Sequence, residues 1–164
     1  MAKKKHTKRK KKRTGPSAVR SNRSVAIGGS KQPRFTVAMA TYNRAQWVSD
    51  AIQSVLTQSF TDFEYVIVDD GSTDDTPRVI GAIEDSRIRY IRKAQNEGRP
   101  ATRNRVVRES RGEYILWMAD DDRLADGILE RYDDVLTADS SIDVLYGNLS
   151  VFGHEPGVHD SVYE

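Results

Sequence analysis

The stretch Tyr114-Ile115-Leu116-Trp117-Met118-Ala119-Asp120-Asp121-Asp122-Arg123 decides how this chain is read. An apolar run ends abruptly in three consecutive carboxylates. The run suits a buried strand. Adjacent acids repel one another, so the triplet is unfavourable unless water or a cation neutralises it. Magnesium and manganese take carboxylate oxygens and keep other positions for water and phosphate. The carboxyl ends of strands are also where open α/β sheets hold ligands. A solvated acidic turn is the competing reading, and the remainder of the chain turns the balance against it.

Working outward, strand and helix patterns alternate from Phe35 onward. Phe35 to Ala40 reads as a first strand. Val48, Ile52, Val55 and Leu56 then share one helical face. Phe63 to Val68 is a second strand, ending at Asp69-Asp70-Gly71-Ser72. Asp74 or Asp75 can cap the next helix, with Pro77 in its first turn and Ile80 and Ile83 facing the core. Ile88 to Ile91 is a third strand. A helix from Pro100 to about Ser110 leads into the fourth strand, Tyr114 to Met118. Gly127 to Thr137 is a further helix, with Ile128, Leu129, Tyr132 and Leu136 on its apolar face, and Asp143 to Phe152 holds a fifth strand. Repeated β-α-β units imply an α/β fold, a mostly parallel sheet with helices on both faces.

Three polar clusters follow three of these strands: Thr41-Tyr42-Asn43-Arg44, Asp69-Asp70-Gly71-Ser72 and the acidic triplet. In a parallel sheet all three lie on the carboxyl edge. Strands spaced about 4.8 Å apart let their terminal side chains meet around a ligand of nucleotide size. Tyr42 offers a flat face to a base, Asp70 two acceptor oxygens for base or ribose, and the Asp120 group a metal for a diphosphate. The first strand–helix turn has no glycine, so neither the G-x-G-x-x-G fingerprint nor a P-loop is present. Phosphates would be held by metal and basic side chains instead.

On these segments the chain resembles the donor-binding half of a family 2 glycosyltransferase of the GT-A fold. The resemblance rests on Thr41 to Arg44, on Ala51-Ile52-Gln53-Ser54-Val55-Leu56-Thr57-Gln58 and on Val66 to Asp74. It continues through Asn96-Glu97-Gly98, Arg103-Asn104, Arg111 to Ile115 and the triplet, and covers about Arg34 to Phe152. The motifs are modest singly, but their order and spacing together are specific. The resemblance implies that Thr41, Tyr42, Asn43, Asp70, Arg103, Asn104 and Asp120 bind the donor. Tyr42 and Asp70 would hold the base and Asp120 would sit near the ribose. Asp121 would be the principal metal ligand, with Asp122 supporting it, and the metal would be magnesium or manganese. Ala40, Ala119 and Val106 depart from residues common in the family, and Ala119 puts the role of Asp120 in question. The acceptor half and the catalytic base of the family lie beyond the region where this chain stops, so the base is unassigned. A fragment, a truncated gene product and a donor-binding module without full catalysis all fit that length.

The charge is divided sharply. Residues 1–31 hold twelve Lys and Arg and no acid, a charge of +12. The remaining 14 basic residues face all 24 acids, so the body carries −10. Residues 1–32 read as a disordered basic tail, and 33–164 as the nucleotide-sugar-binding domain. The tail suits contact with an anionic membrane surface or nucleic acid, and a solubilising role is the plain alternative. There is no cysteine, no apolar run long enough to span a bilayer and no secretory signal pattern. A cytoplasmic protein is expected, peripheral at the inner membrane face if the tail binds lipid. His154 and His159 read as surface-loop residues. The expected activity is metal-dependent, inverting transfer of a sugar from a nucleotide-diphosphate sugar to a glycan, lipid or protein acceptor. A non-catalytic nucleotide-sugar-binding fragment and a polyanion-binding protein acting through its tail are the alternatives.

Overall fold

The structure is a computed structural model that describes residues 32–147. The expectations for the basic tail, His154 and His159 lie outside that range, as does most of the expected fifth strand. Residues 143–147, where that strand was to begin, are irregular.

Four strands form one parallel sheet: β1 (Phe35–Thr41), β2 (Phe63–Asp69), β3 (Ile88–Arg92) and β4 (Tyr114–Met118), in the order β3-β2-β1-β4. Between them run α1 (Val48–Leu56), α2 (Thr76–Gly81) and α3 (Arg99–Glu109), and α4 (Ile128–Ala138) follows β4. β1 is central, pairing with β2 from Phe35↔Phe63 to Thr41↔Asp69 and with β4 from Phe35↔Tyr114 to Met39↔Met118. Strands covered on both faces lose the polar–apolar alternation of a one-sided sheet, and β1 and β2 are buried along nearly their whole length.

Alternate strand residues supply two cores. Phe35, Val37, Met39, Phe63, Tyr65 and Ile67 pack with residues of α1, α2 and α4. Ala38, Val66 and Val68 pack on the other face with Val106 of α3. The expected apolar faces are realised: Val48, Ile52 and Val55 of α1 and Leu129 and Leu136 of α4 are buried. Ile83 packs against the larger core from just beyond the end of α2.

β4 departs from the expected buried strand. Met118 is buried, but Ile115 and Trp117 are 39% and 44% exposed. They point to the α3 face, yet α3 packs chiefly over β1 and β2 and meets β4 there through the Arg103–Trp117 contact. β4 is also the edge of the sheet among the described residues. Apolar sequence alone does not distinguish an edge strand from a central one.

Candidate functional site

β1, β2 and β4 are neighbours and parallel, so their carboxyl ends open into one cleft of about 900 Å3. That size suits a small-molecule ligand. Tyr42 follows β1, Asp70 follows β2, and Asp120 and Asp121 follow β4. The first turn of α3 closes another side with Gly98, Arg99 and Thr102. Although the body is acidic, Arg44, Arg99 and Arg103 all line this cleft. The Arg103 guanidinium lies 5.8 Å from the Trp117 ring centroid, and Trp117 also lines the cleft.

The turn after β1 is held by its neighbour after β2. Asn43 adopts a φ of 54°, a left-handed conformation that Asn tolerates better than most residues. Its side-chain oxygen accepts the Thr73 N–H at 2.8 Å, and its own N–H donates to the Ser72 hydroxyl at 2.9 Å. The Arg44 N–H donates to Thr76 Oγ1 at 2.8 Å. Asn43 thus joins two loops and is not part of the cleft lining, whereas Tyr42 and Arg44 are. The Thr41 hydroxyl is buried without a hydrogen-bond partner among the described residues.

The two aspartates after β2 separate by role. Asp69 is fully buried, accepting the Ser72 N–H at 2.8 Å and the Tyr90 hydroxyl at 2.7 Å. It braces the loop. Asp70 lines the cleft but is also bonded, to the Lys93 ammonium at 2.8 Å and to the N–H groups of Glu97 and Gly98 at 2.9 Å each. Burial pushes the Asp70 carboxyl up; the Glu97 N–H, Lys93 and the Thr102 hydroxyl outweigh it and hold the carboxyl below its ordinary range. Gly71 permits this loop to close. It has a φ of +74°, and a Cβ there would lie 2.6 Å from the Gln95 carbonyl carbon.

The acids after β4 are placed unequally. Asp120 is largely buried and its Oδ1 lies 3.4 Å from Arg44 Nε. Asp121 is exposed and lines the cleft, while Asp122 is exposed and lies outside the lining. The chain beyond them is tied down by α1. The Leu124 N–H donates to Ser54 Oγ at 3.0 Å, and Gln58 Nε2 donates to the Ala125 carbonyl at 3.0 Å. Arg123 pairs with Asp50.

These positions suit a hard divalent cation. The donors are carboxylate oxygens, with one acid neutralised by Arg44 and Asp121 open to the cleft. Among the described residues no group of three or more acidic, His or Cys side chains is placed to hold a metal ion by itself. Magnesium commonly needs only one or two carboxylates, with water and substrate phosphate completing its shell.

The sequence profile of glycosyl transferase family 2 matches residues 36–157. The chain belongs to glycosyl transferase family 2. An uncharacterized glycosyltransferase of Rickettsia felis is 42% identical over 90 residues, 54% of this chain and 15% of its own length. The Staphylococcus aureus TarS structure in complex with UDP-GlcNAc superposes with a TM-score of 0.61 at 27% identity, over 64% of this chain and 31% of that one. The mannosyltransferase PcManGT of Pyrobaculum calidifontis, in complex with GDP-Man and Mn2+, shares the fold, with a TM-score of 0.58 at 23% identity over 76% of this chain and 38% of that one. The chain therefore spans well under half the length of these relatives.

For this family 2 chain, the fold brings Thr41, Tyr42, Asp70, Arg103, Asp120 and Asp121 to one cleft. Asn43, Asn104 and Asp122 are not in its lining. Sequence reasoning assigned no role to Arg44, Lys93, Arg99, Thr102 or Trp117. Arg44 stood within a quoted motif, and its position in a strand–helix turn opposite the acids was the available signal. Lys93 gave none, because only the sheet order sets the residue after β3 beside the loop after β2.

Proposed function

We propose that this chain is the donor-binding part of a glycosyltransferase that uses a nucleoside-diphosphate sugar. The observation that carries the reading is the convergence of Tyr42, Asp70 and Asp121 from three strand ends on a cleft lined by three arginines. Tyr42 offers its ring to the base and Asp70 an acceptor. Arg44, Arg99 and Arg103 supply positive charge for the diphosphate. Asp121 would hold a magnesium or manganese ion, with Asp122 beside it in the chain. Such a cation, when bound, neutralises charge on the departing diphosphate. Arg44, paired with Asp120, keeps that carboxylate oriented near the ribose side of the site. Transfer to an acceptor hydroxyl would proceed with inversion, as the resemblance implies, and the base that deprotonates the acceptor is not assigned to a residue of this chain.

The UDP-GlcNAc complex of TarS supports a nucleotide-sugar ligand for the same fold. The test is calorimetric titration of the full chain with UDP. Binding is expected in magnesium or manganese and not with chelator, and Asp121→Ala should abolish that difference. Equal affinity with and without metal would remove the metal from the reading.

A further inference from the structure

α3 is basic in an otherwise acidic body. The residues after the tail total −10, yet α3 holds Arg99, Arg103, Arg105 and Arg108 against the single acid Glu109. Glu109 is already used, by Arg89 at 2.6 Å and by Arg105 at 2.8 Å. Arg99, Arg103 and Arg108, with Arg111 between α3 and β4, are exposed and have no carboxylate partner among the described residues.

Apolar side chains are exposed on the same face. Thr102 and Val106 are the buried positions of α3, so Arg99, Arg103 and Val107, four residues apart, form a stripe beside them. The Arg103 guanidinium over the Trp117 ring shows that this stripe borders β4. Ile115 and Trp117, two apart in the strand, share its α3 face. Val107, Ile115 and Trp117 are 47%, 39% and 44% exposed.

We propose that this α3–β4 face docks the folded body onto an anionic lipid surface. A body of net negative charge is repelled by such a surface unless one face is basic, and four unpaired arginines on one side supply both attraction and orientation. Val107, Ile115 and Trp117 enter the headgroup boundary, where Trp is favoured, while the arginine heads stay among the phosphates. Nucleic acid fits less well: Val107 and Ile115 offer no stacking platform, and one side of the Trp117 ring faces Arg103. Arg99, Arg103 and Trp117 also line the cleft, so docking brings its mouth to the level of the headgroups.

The basic tail would bind the same vesicles, so the test must read this face alone. The chain has two tryptophans. Trp47 precedes α1, which packs on the sheet face opposite α3, and serves as the control. The full chain carrying Trp47→Phe, and separately Trp117→Phe, is mixed with phosphatidylglycerol–phosphatidylcholine vesicles whose acyl chains are brominated near the headgroup. Trp117 emission should fall and shift to shorter wavelength, whereas Trp47 emission should stay unchanged. Val107→Glu in the Trp47→Phe chain should remove most of that quenching while the tail still sediments the protein with the vesicles. Sedimentation without quenching of Trp117 would assign attachment to the tail alone and overturn the proposal. Equal quenching of Trp47 would place another face on the lipid, with the same consequence. A Trp117 response to a single-stranded oligonucleotide and not to vesicles would replace lipid with nucleic acid. Should Trp47→Phe not fold, judged by circular dichroism, the loss of quenching from wild type to Trp117→Phe decides the matter.

Discussion

Gln58 is a buried amide whose three bonds connect α1 to the chain beyond the acids. Its Nε2 donates to the carbonyls of Ser54 and Ala125 at 3.0 Å each, and its Oε1 accepts the Leu129 N–H at 3.4 Å. With Ser54 bonding Leu124, it fixes the segment that leaves Asp121 and Asp122. Replacing Gln58 with Leu keeps the bulk and leaves the Leu129 N–H without its side-chain acceptor, whereas the exposed Ala125 carbonyl keeps the Ile128 N–H. One orphaned buried donor costs about 1–3 kcal/mol, so urea denaturation should show a loss of that order. Metal-dependent UDP affinity should fall in the same variant, because the anchored segment begins at the acids. Unchanged stability would mean that water replaces the amide without cost. The run Ala51 to Gln58 was legible as a family pattern, but the reason for Ser54 and Gln58 is a contact about seventy residues away.

At the level of elements, β4 reaches its place through a close approach. The Gly112 N–H donates to Thr36 Oγ1 at 2.8 Å, and a Cβ on Gly112 would lie 2.3 Å from the Thr36 nitrogen and 2.5 Å from the Phe35 carbonyl carbon. These atoms are backbone of the central strand and cannot swing aside. Gly112→Ala should therefore separate the start of β4 from β1 and cost about 1–3 kcal/mol by thermal or chemical denaturation. Gly81→Ala is the matched control. A Cβ there meets nothing within 4 Å, and the effect should lie within about 1 kcal/mol of zero or be stabilising. Similar losses in both would refute the close-approach argument. β4 also shows how element-scale reading fails: the apolar run identified a strand correctly, whereas the exposure of Ile115 and Trp117 follows from which strands α3 covers.

Across the whole molecule, charge is partitioned by sequence position, with +12 in residues 1–31 and −10 in the remainder. The cleft is lined by residues between Ala40 and Asp121. Deleting residues 1–31 is therefore expected to leave metal-dependent UDP affinity nearly unchanged, as measured by calorimetry. The intact chain should sediment with anionic vesicles, and do so less as salt rises, because screening shortens the reach of its charge. Loss of nucleotide binding on deletion would place the tail within the site. No helix among the described residues is long and apolar enough to cross a membrane. The sequence by itself determined the strand–helix alternation, the parallel α/β class, the carboxyl-edge position of Tyr42, Asp70 and Asp121, and the family. Those properties depend on local periodicity and on motif order, which are written along the chain. Only the tertiary structure decided that Arg44 sits against Asp120, that Lys93 occupies Asp70, and that β4 lies at an edge among the described residues. Each of these depends on which strands become neighbours, and sheet order is settled by the packing of distant segments.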